Sequence, residues 1–424
     1  MSRGARCLIA ALLLLGGCMT RERSNPLDPR NEVTQGSLVG FNAIAADGVV
    51  ELRWPILRVE GVLGYRLQRW RPGGIPQTLG TADYNPDAIA AEDPTVTNDS
   101  TYVYRLIAHL DTGDSVLSAV DTVTPGVRRI FALAAGIPSF VRLTPDARDV
   151  LYELAVKESY VDMEMDRSSG LLWLAAEDAG EVIRRAPEGG IVGALIEPGS
   201  PGDLSVSSNR GIGWVVSLTS GSVISYGPDV NDPAPQRSIS DVLDPRIVEA
   251  GTTDPSVWIG NETGDVFRFR AQDLVELGSW SLGHGPIRAI ALDEGTGGAW
   301  IATRGLTGTL TFVNPSDSSA TVVRSALSNA ADLAVDPATG DLWISERGPS
   351  NVGAGRLSLI TRAGVTLCSV SSIEPYGIDV DPTDGSCWVS DLRSGRILDI
   401  GRTGVTLRAS PLLQTPYAVR VSAP

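Results

Sequence analysis

Six tryptophans, Trp173, Trp214, Trp258, Trp300, Trp343 and Trp388, recur at spacings of 41, 44, 42, 43 and 45 residues. A repeat of this length is that of one four-stranded propeller blade, a unit that buries its apolar faces only by stacking on neighbours. The residue three before each tryptophan is a turn former: Gly170, Gly211, Pro255, Gly297, Gly340 and Gly385. Ahead of it runs an apolar alternation ending in a turn, as in Leu333-Ala334-Val335-Asp336-Pro337 and Ile378-Asp379-Val380-Asp381-Pro382. Each repeat therefore reads as strand A, a turn, strand B carrying the tryptophan, a glycine-containing turn, then strands C and D. A tryptophan wedged between blades buries a large apolar surface, so these six are assigned to packing and to no chemistry.

Phe131 lies 42 residues before Trp173 in a similar apolar context, Ile130-Phe131-Ala132-Leu133. At the other end, Tyr417-Ala418-Val419-Arg420-Val421 matches the strand A segment Tyr376-Gly377-Ile378-Asp379-Val380, with nothing after it. The last strand is therefore expected to complete a first blade whose other strands come from residues 128–159. Such a closure removes the exposed sheet edges of an open array. The count is seven blades over 127–424, with a six-bladed ring and a separate N-terminal segment as the alternative.

The repeats resemble the propeller superfamily that includes NHL repeats, the virginiamycin B lyase type and the gluconolactonase type. Gly340-Asp341-Leu342-Trp343-Ile344-Ser345-Glu346 and Gly385-Ser386-Cys387-Trp388-Val389-Ser390-Asp391 carry the likeness. It implies the fold and leaves activity open, because propellers host binding, scaffolding and catalysis alike.

The chain begins with Arg3 and Arg6 ahead of an apolar run from Cys7 to Leu15, the layout of a secretory signal over 1–17. The run ends Leu15-Gly16-Gly17-Cys18, which resembles the lipobox of bacterial lipoproteins and implies acylation of Cys18. Met19 in place of an aspartate favours, by that resemblance, the outer membrane or cell surface, with the periplasmic side open. Residues 18–36 read as a polar, Pro-containing linker. Within it Asn25-Pro26-Leu27-Asp28-Pro29 resembles a segment that follows the lipid cysteine in many envelope lipoproteins.

From 37 to 126 the chain reads as about seven short strands. Val50, Leu52 and Trp54 alternate with Glu51 and Arg53, and Tyr102, Tyr104 and Leu106 with Val103 and Arg105. Together with Gly64-Tyr65-Arg66-Leu67, this span resembles a fibronectin type III sandwich, its aromatics read as core. The whole is thus expected to be all-β, a sandwich followed by a propeller.

The formal charge is −15, and losing Arg3 and Arg6 with the signal leaves −17 on the mature chain. A surface this acidic repels phosphate backbones, which disfavours nucleic acid, and the only membrane attachment read from the sequence is the lipid. After Cys7 and Cys18 are set aside, Cys368 and Cys387 remain, read either as a disulfide or as two buried thiols. His109 and His284 are the only histidines, which narrows imidazole chemistry.

Strand A running along the axis puts the B–C and D–A loops on one rim. Charged and amide residues recur there, and Asn261, Arg304, Glu346, Arg347 and Asp391 are the expected ligand-binding set. The fifth tryptophan repeat also has the longest B–C loop, Gly348 to Gly355. Acids in strand A form two columns, Asp162, Asp203 and Asp332, then Glu164, Glu249 and Asp379, read as a polar channel or as oxygen ligands for a hard cation. The metal-ligand set and the basic histidine on which the hydrolase and lyase types depend cannot be placed, so no catalytic residue, metal or cofactor is assigned. The function expected is a non-catalytic envelope scaffold binding a protein or glycan. The alternative is a propeller lyase or hydrolase acting on a small periplasmic substrate.

Overall fold

A computed structural model of the chain describes residues 36–55, 61–156, 159–196, 199–207, 210–305, 307–349 and 355–422. The signal and acylation site at 1–18, the linker up to 35 and loop residues 350–354 lie outside them. The regular structure is all strand, and no helix among the described residues is long and apolar enough to cross a membrane. The chain divides into two compact units, Met1–Gly126 and Val127–Pro424.

The first unit holds two antiparallel sheets made of eight strands, where the sequence suggested about seven. Asn42–Ala45, Val50–Arg53 and Ala90–Asp93 form one. Gln77–Tyr84, Val62–Trp70, Tyr102–Leu110 and Ser115–Leu117 form the other in that order, with Asp121–Val123 also paired to Tyr102–Leu110. Val50 and Leu52 turn inward while Arg53 faces out, and Trp54, Tyr65, Leu67, Tyr104 and Leu106 from both sheets fill a single core. The strand period of two thus makes a sandwich.

The second unit is a ring of seven four-stranded sheets, which settles the blade count. Blade 2 is typical, with strands A to D at Tyr160–Met165, Leu172–Ala176, Glu181–Arg185 and Ile191–Ile196. Blade 1 differs: its innermost strand is the C-terminal Pro416–Ser422, laid antiparallel on Arg129–Ala134, followed by Ser139–Leu143 and Val150–Ala155. The six repeat tryptophans are at most 1% exposed. Each enters a core shared with the next blade, Trp173 with Leu204 and Val215, and Trp388 with Val419 and Val421. Phe131 takes the seventh place, packed with Met163 and Leu174 of blade 2.

Polar seams reinforce the apolar ones. The A–B turns of most blades close on a glycine in the left-handed region, such as Gly340 (φ 73°) and Gly385 (φ 70°). The buried aspartate opening several of these turns is gripped by an arginine of the next blade: Asp293 by Arg362, Asp336 by Arg402, and Asp381 by Arg128 at 2.5 Å. Arg128 precedes the first strand of blade 1, so this pair ties the ring's two ends a second time. Cys368 and Cys387 carry free thiols, the latter buried.

Candidate functional site

Seven A strands line the axis: Pro416–Ser422, Tyr160–Met165, Pro201–Ser207, Pro245–Ala250, Ile287–Asp293, Ala330–Val335 and Pro375–Val380. Each pairs with strand B on one side only, so every second N–H points at the channel and lacks a ladder partner. Unpaired backbone donors are costly away from water, and the strand-A acids supply the acceptors. Asp162 accepts from the Met163 N–H (2.8 Å) and, across the seam, from the Leu204 N–H (3.0 Å). Asp203 accepts from the Val248 N–H (2.8 Å). Asp332 accepts from the Leu333 (2.8 Å) and Ile378 (2.9 Å) N–H groups. One level deeper, Asp379 accepts from the Val380 (2.9 Å) and Val421 (2.8 Å) N–H groups, and Ser205 from that of Ala250 (3.0 Å). Most of the acid columns therefore stitch neighbouring blades together. Among the described residues no three His, Cys, Asp or Glu side chains gather so as to hold a metal ion.

Basic side chains interrupt this acidic wall. Arg420 binds Glu164 at 2.9 Å and lies near Asp162, and Arg167 binds Asp379 at 2.8 Å. Burial works against the Arg420 charge, but Glu164, Asp162, Asp379 and Asp332 outweigh it and hold the guanidinium firmly protonated. Burial, then repulsion from Asp162, pushes the Asp203 carboxyl well above its usual range; burial, then Glu164, does the same to Glu249.

Above this wall a cavity of about 440 Å³ opens at one end of the axis, within the size range of small-molecule sites. The B–C and D–A loops meet around it. The Leu218, Glu262, Arg304, Arg347 and Leu392 N–H groups each donate to the carbonyl of a residue just before the adjoining strand A. Each strand A also carries a register shift near its start, between its first and third residues in six blades and between Pro375 and Ile378 in the seventh. The residue at that bulge lines the cavity, which places Arg246, Arg288, Tyr376 and Tyr417 there. Tyr376 sits between two guanidinium groups, Arg347 at 5.1 Å and Arg288 at 6.0 Å from its ring centre. Arg246 pairs with Glu262 at 3.0 Å, while Tyr417 donates to the Tyr160 carbonyl at 2.6 Å.

The five residues expected to bind a ligand separate into two groups. Arg304 and Arg347 are exposed, Arg304 lining the cavity and Arg347 bound to Glu374 at 3.3 Å. Asn261, Glu346 and Asp391 are buried, at most 3% exposed, which corrects their reading as rim side chains. Each is the last residue of its strand B, and its side chain is spent on neighbouring backbone and side-chain donors. Asn261 accepts from the Asp265 N–H (2.7 Å). Glu346 accepts from the Ser328 N–H (2.9 Å) and from Arg356. Asp391 accepts from the Glu374 (2.8 Å) and Arg393 (3.1 Å) N–H groups. Arg246, Arg288 and the two tyrosines escaped the sequence reading; their signal was a bulky polar residue second in strand A, beside a position that is often proline.

The fold is that of a seven-bladed β-propeller. Comparison of the structure with solved ones finds the same architecture at low identity. A functionally unknown protein from Desulfotomaculum acetoxidans aligns with a TM-score of 0.55 and 11% identity over 70% of this chain and 99% of its own. The β-propeller domain of Myceliophteria thermophila Cps50 (Swd1) gives 0.53 and 12% over 68% and 99%. Kuenenia stuttgartiensis hydrazine synthase gives 0.51 and 11% over 59% and 79%. No protein-family model and no curated protein matches the sequence.

Proposed function

We propose that this chain is a lipid-anchored binding protein of the bacterial cell envelope. Its propeller captures a protein or glycan at the axial mouth and carries out no reaction on it. The observation that carries the reading is the division of labour around the axis. The wall carboxylates are largely engaged in holding blades together, whereas the mouth presents arginines and tyrosines around a space of about 440 Å³. Such a surface is suited to recognition by charge and by stacking.

Acylation of Cys18 would hold the chain at the outer membrane or cell surface, with the periplasmic side open, and residues 18–36 would serve as tether. The strand order of the first unit and its Trp54–Tyr65–Tyr104 core support a fibronectin type III-like spacer. The propeller then takes the place that its NHL-like repeats suggest.

The test is capture from envelope extracts by the full chain and by an Arg246→Ala, Arg304→Ala, Arg347→Ala variant with an unchanged melting profile. Loss of capture is expected. Undiminished capture would move the site to the opposite face or to the first unit.

A further inference from the structure

The carboxylate stitching obeys a rule, and one place in the ring breaks it beside the cavity. At the upper level the inward N–H groups belong to Met163, Leu204, Val248, Ile290, Leu333, Ile378 and Val419, equivalent positions of the seven A strands. Asp162, Asp203 and Asp332 serve five of them. An acceptor for Ile290 would have to come from position 247 or 289, and these are isoleucine and alanine. Among the described residues its N–H is therefore left without a side-chain acceptor. The corresponding positions for Val419 hold Gly377 and Ala418, but Val419 does not line the cavity, whereas Ile290 does. A backbone donor facing a cavity without its acceptor is a place for one to arrive.

The charges around this gap have the matching sign. Arg288 is the bulge residue of the same strand, and its guanidinium makes a long hydrogen bond, 3.4 Å, to the Tyr376 hydroxyl. Arg304 stands in the loop directly after the paired strand Gly298–Thr303, with its backbone tied to Pro286 at 2.7 Å and its side chain exposed. Arg288, Ile290 and Arg304 line the same cavity on one blade, and guanidinium groups beside a backbone N–H suit an oxyanion. On the neighbouring wall lie Asp203 and Glu249. Burial raises both carboxyl pKa values, and carboxyl oxygens accept hydrogen bonds from hydroxyls in either form. Hydroxyls suit them better than a second anion or an ammonium group.

We infer that the axial cavity binds a hydroxylated carboxylate of the size of one uronic acid residue, its carboxylate between Arg288, Arg304 and the Ile290 N–H and its hydroxyls toward Asp203 and Glu249. The inference rests on the reading of the mouth as the binding site and names the chemistry it selects: an acidic glycan.

Isothermal titration of the full chain with galacturonate tests it, with galactose as the uncharged counterpart and glutamate as a carboxylate that carries an ammonium group. Galacturonate is expected to bind at least tenfold more tightly than either, and Arg304→Ala and Arg288→Met each to weaken it at least tenfold. Ala289→Asp supplies the missing acceptor in the manner of Asp332 and is expected to abolish uptake while leaving the melting temperature in place. Should that variant melt early, the exposed Arg304→Ala and Arg304→Lys pair carries the test, lysine restoring part of the affinity. The inference is overturned by galactose or glutamate binding as tightly as galacturonate, by no galacturonate uptake at millimolar concentration, or by uptake indifferent to Arg304. If galacturonate fails while envelope capture still depends on the mouth arginines, only the ligand class falls; if capture is indifferent as well, the mouth itself is not the site.

Discussion

Removing residues 416–424 should destabilise the propeller as a whole, and the size of the effect follows from what this strand buries. Val419 and Val421 are fully buried and Ala418 nearly so. They complete two cores at once, the one that holds Trp388 of blade 7 and the one that joins Phe131 to blade 2. Burying a valine side chain contributes about 1.5–3 kcal/mol, so the two valines alone account for roughly 3–6 kcal/mol. The deletion also strips the ladder from Arg129–Ala134 and removes Arg420 from Glu164. Net stabilities of about 5–15 kcal/mol leave little after such a loss. In calorimetry the truncated chain should lose more than about 10 °C from the propeller transition, at the roughly 2–4 °C per kcal/mol typical of large domains. Trp388, uncovered by the deletion, should shift its emission to the red. The milder Val419→Ala should lower the transition by about 4–8 °C, for a loss of about 2 kcal/mol. A truncated chain melting within 2 °C or so of the intact one would refute the argument, because blade 1 would then be stable without its inner strand.

Two further outcomes are expected. Cys18→Ala should move the protein out of the salt-resistant membrane fraction or stall its processing; a normally processed variant that still sediments with membranes after a high-salt wash contradicts acylation at this residue. Glu249→Gln should raise the melting temperature by a few degrees near pH 7–8. The carboxyl pKa is raised in the fold, so its contribution to stability is full below about pH 4 and is lost as pH rises through the folded value. The advantage of the glutamine should therefore vanish toward pH 4, and a gain that persists there would assign it to packing instead.

The propeller was legible because its evidence is periodic. Trp173 to Trp388 mark each strand B, and the match of Tyr417–Val421 to Tyr376–Val380 locates the closing strand without any structure. The rim was legible for the same reason, since the axial course of strand A decides which loops share an end. What misled was the last residue of strand B. Asn261, Glu346 and Asp391 look like loop residues by type, and only the structure shows their side chains accepting from the B–C turn or from the segment ahead of strand A. A good acceptor followed three or four residues later by Gly264 or Gly395 was the available sign of a capped turn. The acid columns were seen, but their purpose depends on where the next blade's N–H falls, a relation across about 43 residues that spacing alone does not fix. The bulge that brings Arg246 and Arg288 to the cavity is likewise a matter of register.

The position of the closing strand has a consequence for how the molecule is made. A ribosome releases Arg129–Ala134, Ser139–Leu143 and Val150–Ala155 of blade 1 long before their inner partner, Pro416–Ser422. Until that strand has been made the ring has no lock, and Arg129–Ala134 presents an open edge. The most stable state of the propeller thus becomes accessible only once this strand has been made. This order also makes the fold a check on its own completeness, because a message cut short by even one strand yields an open, protease-sensitive product.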